Sequence, residues 1–108
     1  MEHALREEGE RLVVSFQGDL DLQSSPEARR VLLECVGRSK SLLVDLSAVP
    51  YLDSSGVASL VEAYQLSRSQ GTSFGLVSVS PRAMRVLELA RLDKVFAIHS
   101  SLDAADGS

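Results

Sequence analysis

The chain has 108 residues, a formal net charge of −4, 44% apolar and 24% charged residues, the size and balance of one soluble domain with a single modest core. The acidity argues against a nucleic-acid surface, which needs clustered Lys and Arg, whereas the one basic doublet, Arg29-Arg30, lies on a helix with an apolar opposite face. No apolar run approaches the ~20 residues of a membrane span, so no direct membrane insertion is expected, and residues 1–8 lack the basic region and apolar core of a signal peptide, which predicts a cytoplasmic protein.

Residues 3–8 and 11–17 read as two short strands joined at Gly9, with Leu12-Val13-Val14-Ser15-Phe16 the stronger. Gly18-Asp19-Leu20-Asp21 breaks the second. Ser25 followed by Pro26 is an N-cap with proline at the first helical position, and Ser24 with Glu27 is a competing capping-box register. The helix runs to about Gly37, a suitable stop. Cys35 shares its apolar stripe with Ala28, Val31 and Leu32, which predicts a buried, inert thiol. As the only cysteine it excludes an internal disulfide. His3 and His99 stand near opposite ends, outside any ligand-spaced cluster, so neither a metal nor another cofactor is expected.

Leu42-Leu43-Val44-Asp45-Leu46 is a buried strand, and a helix follows from 54 to about 70, with Val57, Leu60, Val61 and Tyr64 on one face and Gly71 as its stop. Phe74 to Val79 is the next strand. Ser80-Pro81 opens a third helix with Ala83, Val86, Leu87 and Ala90 as its apolar face, and Val95-Phe96-Ala97-Ile98 closes as a last strand. The order ββαβαβαβ predicts an α/β domain over residues 1–100, a mixed sheet packed with amphipathic helices. Residues 101–108 form a short polar tail, frayed or docked as a brief helix.

The most informative segment is Asp53-Ser54-Ser55-Gly56, between the buried strand and the long helix. Two hydroxyls sit at a helix N-terminus, where unpaired backbone N–H groups favour negative charge. Asp53 is a good N-cap, so this is a place for a phosphate or for a cap that merely starts the helix. Gly56 costs about 1 kcal/mol relative to Ala in the first turn. A close approach, by backbone or by another molecule, would account for it.

This layout resembles the STAS domain family of bacterial anti-sigma factor antagonists. Gly18-Asp19-Leu20-Asp21 looks like the family's Gly-Glu-Leu-Asp turn. Val44-Asp45-Leu46-Ser47 with Leu52-Asp53-Ser54-Ser55-Gly56 resembles its central strand and phosphorylation loop. Gly71 to Val79 is similar to the next helix stop and strand, and Val86 to Leu92 with Val95-Phe96 looks like the closing helix and strand. The resemblance implies a non-enzymatic switch. In such antagonists a partner kinase, itself the anti-sigma factor, phosphorylates the second serine of the motif, here Ser55, and ends the binding; a phosphatase resets it. Asp53 would shape the loop, Gly56 would give the partner room, and Asp21 would lie on the neighbouring loop. The partner-binding set implied is thus Asp21, Asp53, Ser54, Ser55 and Gly56.

Small STAS proteins also serve as cytoplasmic subunits docked on the ATPase of ABC-type lipid transporters. Their equivalent loop commonly carries Asp-Thr-Ala-Gly, without the second serine that this chain keeps at Ser55. A serine hydrolase is disfavoured, because no glycine precedes either serine as a Gly-x-Ser-x-Gly elbow requires. Nor is there a Gly-x-x-x-x-Gly-Lys loop for a nucleotide.

Overall fold

The computed structural model describes residues 1–38 and 41–106. Strands β1 (Glu2–Glu8), β2 (Arg11–Gln17), β3 (Ser41–Ala48), β4 (Ser73–Val77) and β5 (Ala97–His99) form one sheet in the order β1-β2-β3-β4-β5. The β1–β2 pair is antiparallel, turning at Gly9 with φ +67°, and the other pairs are parallel. The parallel strands are linked by α1 (Ser25–Arg38), α2 (Ser54–Gln70) and α3 (Pro81–Leu89). All three helices pack on one face of the sheet, as crossovers of a single hand between successive parallel strands require. The expected α/β architecture with a mixed sheet is the one observed.

Side-chain alternation divides the sheet in two. Leu12, Val14 and Phe16 of β2, Leu42, Val44 and Leu46 of β3, and Leu76 of β4 pack against Val31, Leu32, Leu60 and Leu87 of the helices. Each such fully buried side chain contributes about 1.5–3 kcal/mol. The odd-numbered Val13, Leu43 and Val77 face the other way, where Leu102 and Ala105 of a short terminal helix α4 (Leu102–Asp106) cover them. Cover on both faces explains why β3 reads as a nearly continuous apolar run. The segment after residue 100 is therefore a docked helix as far as residue 106, one element more than the order ββαβαβαβ. Residues 107 and 108 lie outside the described residues.

The ends of the elements refine the sequence reading. Gly37 is helical within α1, which runs one residue further to Arg38, so it does not stop the helix. Ala28 N–H donates to Ser24 O, which sets Ser24 at the backbone N-cap position and Ser25 inside the helix. Gly71 does end α2 in the left-handed conformation, at φ 71°. Ser80 caps α3, accepting from the Ala83 N–H at 3.3 Å, with Pro81 in the first turn. The final strand is shifted towards the C-terminus: Phe96 leaves the ladder to pack on Tyr64 and Phe74, with ring centroids 5.5 and 6.0 Å away. Ala90 is exposed, so the apolar face of α3 narrows to Ala83 and Leu87 with Val86 beside them. Along α2 the deepest residues are Gly56, Ser59, Leu60, Ala63 and Ser67, a stripe of mostly small side chains lying beside the one expected. Ser59 Oγ donates to Ser55 O at 3.2 Å, and Ser67 Oγ to Thr72 O at 2.9 Å, so neither buried hydroxyl is left without a partner.

Cys35 is buried as expected, and burial pushes its thiol up from the ordinary cysteine value. Val44 has no exposed surface and sits at the centre of the sheet. Val44→Asp is expected to abolish the folded state, because an unpaired buried carboxylate costs several kcal/mol against a total stability of about 5–15 kcal/mol. A cooperative thermal transition at the wild-type temperature would contradict this placement.

Candidate functional site

The pairing of β2 with β3 continues beyond the regular strands and builds the site. Gly18, at φ +100°, turns the chain after a register shift near Ser15 to Gln17, and its N–H donates to Ala48 O at 2.9 Å. Leu20 then forms a parallel bridge with Leu52: Leu20 N–H donates to Tyr51 O at 3.0 Å, and Asp53 N–H to Leu20 O at 3.1 Å. Leu20 and Leu52 are both buried, so this outpost of the sheet has an apolar anchor. Two loops, 18–24 and 49–53, are thereby fixed side by side at the carboxyl ends of the strands.

Asp53 joins them. Its backbone is extended, at φ −102° and ψ −174°, and its Oδ1 accepts from Ser55 N–H at 2.9 Å and Gly56 N–H at 3.1 Å. Its Oδ2 accepts from Leu22 N–H at 3.2 Å, across to the other loop. One carboxylate therefore caps α2 and fastens the turn before α1. Gly56 is buried against that same turn. A Cβ there would stand 2.5 Å from Leu20 O and 2.9 Å from Leu20 Cβ. The close approach that Gly56 permits is thus made by the chain's own backbone, and the room it gives is already taken by Leu20.

Asp21 lies between these contacts. Its Oδ1 accepts from Ser24 N–H at 3.0 Å and Gln23 N–H at 3.1 Å, and its carbonyl accepts from Ser25 N–H at 2.8 Å. The Ser24 backbone N–H, with the Ser24 hydroxyl and the Gln23 N–H, holds the Asp21 carboxyl below its ordinary value against the opposing effect of desolvation. Ser54 is exposed and Ser55 half-buried. Within the described residues neither hydroxyl has a hydrogen-bond partner in the protein. The five residues singled out in the sequence are thus brought together in one place, at the N-terminus of α2.

The chain matches the STAS domain family model over residues 3–105. The chain belongs to the STAS domain family. It is 33% identical over 97 residues to the anti-sigma-F factor antagonist RsfB of Mycobacterium tuberculosis (strain H37Rv), covering 88% of this chain and 79% of that relative. It is 28% identical over 85 residues to the anti-sigma-B factor antagonist of Bacillus subtilis (strain 168), covering 79% of this chain and 78% of the relative. The crystal structure of an anti-sigma factor antagonist from Mycobacterium paratuberculosis is similar, with a TM-score of 0.87 at 30% identity, covering 94% of this chain and 87% of that one.

Two residues at the site of this STAS domain went unnoticed in the sequence. Leu22 is 74% exposed and Tyr51 50% exposed, one in each of the paired loops. A leucine inside the otherwise polar turn Asp21-Leu22-Gln23-Ser24 was the available signal. The cap contacts of this STAS domain give two testable consequences. Gly56→Ala should lower stability by about 1–2 kcal/mol, because overpacking against a backbone carbonyl outweighs the gain in helix propensity; equilibrium denaturation reads it, and a stabilised variant would contradict the packing. For Asp21, a carboxyl lowered in the folded state contributes stability above its unfolded value near pH 4, lost as the pH falls through the folded value. The melting-temperature gap between wild type and Asp21→Asn should accordingly be widest near neutrality and close towards pH 2. A gap independent of pH would sink that assignment.

Proposed function

We propose that this STAS domain is an anti-sigma factor antagonist, a protein-binding switch without catalytic activity, controlled by phosphorylation of Ser55. Unphosphorylated, it binds an anti-sigma factor that is also a serine kinase; the phosphate ends that binding and a phosphatase restores it. The relatives' names support this over a subunit of a transporter ATPase. The observation that carries it is local. Ser55, the second helical residue of α2, has a hydroxyl with no hydrogen-bond partner among the described residues, half-exposed beside the Asp53 cap and the Leu20–Asp21 turn. No described helix is long and apolar enough to cross a membrane, and the proposed setting is the cytoplasm.

The energetics suit a switch. A phosphate adds about −1.5 to −2 charge and three acceptor oxygens. At the positive end of a helix macrodipole the fold tolerates that charge. A partner seated on the loop must instead desolvate or oppose it, and like charges at an interface cost several kcal/mol. Since about 1.4 kcal/mol is a tenfold change in affinity, one phosphate suffices.

Three variants test the proposal against the anti-sigma factor kinase of the same organism. Ser55→Asp should keep a melting temperature close to wild type and bind at least tenfold more weakly. Ser55→Ala should bind as wild type does and accept no phosphate, whereas Ser54→Ala should still be phosphorylated. Titration calorimetry and intact-mass spectrometry give the readouts. Label on Ser54 alone, or undiminished binding by Ser55→Asp, would overturn the assignment.

A further inference from the structure

Leu22 and Tyr51 carry a consequence beyond the phosphorylated serine. Single exposed apolar residues are ordinary on protein surfaces. These two are not scattered: Leu22 N–H and Ser55 N–H share the Asp53 carboxylate, and Tyr51 O receives the Leu20 N–H. Leu22 also sits on a turn already ordered by the Asp21 side chain, so presenting it costs a partner little conformational entropy. Asp19 and Asp21 precede it in the same turn and the Asp53 carboxylate accepts its N–H; among the described residues none of the three carboxylates has a basic side chain as ion-pair partner.

We propose that Leu22 and Tyr51 are the apolar anchors of the partner interface, and that the partner offers an apolar pocket rimmed by arginine or lysine side chains. This rests on the antagonist reading and names the chemistry that reading requires of the partner. Charge complementarity selects this occupant. A second copy of the chain would set Asp19, Asp21 and Asp53 against their own kind on a molecule of net charge −4, the arrangement an interface avoids. A basic rim would meet the three carboxylates directly, and a phosphate on Ser55 would then act beside the anchors rather than at a distance from them.

Binding of the anti-sigma factor kinase of the same organism, measured by titration calorimetry at two salt concentrations, tests the proposal. Leu22→Ser and Tyr51→Ser should each weaken binding at least tenfold, with the melting temperature of Leu22→Ser unchanged. Leu89→Ser is the control: Leu89 is 82% exposed but lies at the C-terminal end of α3, at the opposite end of the sheet, and its loss should leave affinity within twofold. Binding by wild type should weaken as salt rises, and less steeply for Asp19→Asn. If Leu22→Ser binds fully while Ser55→Asp does not, the anchor proposal is wrong and the switch stands. If the kinase binds neither wild type nor any variant, or binds Ser55→Asp and Leu22→Ser as well as wild type, the underlying reading falls with it. Wild-type dimers in light scattering that Leu22→Ser converts to monomers would make the occupant a second copy, and overturn the proposal.

Discussion

Three backbone N–H groups converge on the carboxylate of Asp53, and the arrangement of the site depends on that convergence. Two belong to the first turn of α2 and one to Leu22 in the turn before α1. Without the carboxylate, the donors of Ser55 and Gly56 would lose their partner, and the two loops would be held only by the Leu20–Leu52 bridge and the packing around it. N-cap removal typically costs about 1 kcal/mol. Here the same group also spans 31 residues of sequence, so it sets the relative position of two loops as well as the start of a helix.

Gly56 and Leu20 make that convergence possible. Leu20 O accepts the Asp53 N–H while lying where a Gly56 side chain would be. The turn can approach the helix this closely only because the position has no Cβ. A larger residue would push the turn outward and stretch the Leu22–Asp53 bond, so the glycine and the cap act as one unit. The helices themselves approach closely for a related reason. Ser59 and Ala63 line the buried stripe of α2, and Ser59 Oγ also reaches Ser25 O of α1 at 3.4 Å.

Much of this was legible where a residue has only one good use. Asp53 before a helical pattern, Ser80 before Pro81, and Gly71 after the last helical turn each mark a boundary by their own backbone chemistry, and each occupies the position expected. Gly37 shows the limit: glycine permits a left-handed stop without requiring one, and here it stays helical. Ser59 and Ser67 were invisible as core because serine reads as polar, yet a hydroxyl that bonds a nearby carbonyl can be buried at little cost. Phe96 looked like part of a strand, and its ring is drawn into the aromatic group with Tyr64 and Phe74 instead. Leu22 was missed because exposure is a tertiary property. Its polar turn was a hint, but only the fold shows how exposed the side chain is.

The backbone donors at the start of α2 decide how a phosphate on Ser55 would be felt. Asp53 already takes the N–H groups of Ser55 and Gly56, and the Val57 N–H is bonded to Asp53 O at 2.9 Å. Most of the local anion-binding capacity of the helix end is therefore spent on a carboxylate that belongs to the fold. A phosphate could displace that carboxylate only by giving up the Leu22 bond, so the less disruptive arrangement leaves the cap intact and the phosphate directed towards solvent. Its charge would then be little neutralised within the domain and would add to that of Asp53 beside it and to those of Asp19 and Asp21 in the paired loop. The consequence is an asymmetry between folding and binding. The fold meets a solvated charge helped by the macrodipole, at small cost, whereas any surface that covers Ser55 must strip water from a dianion already among carboxylates.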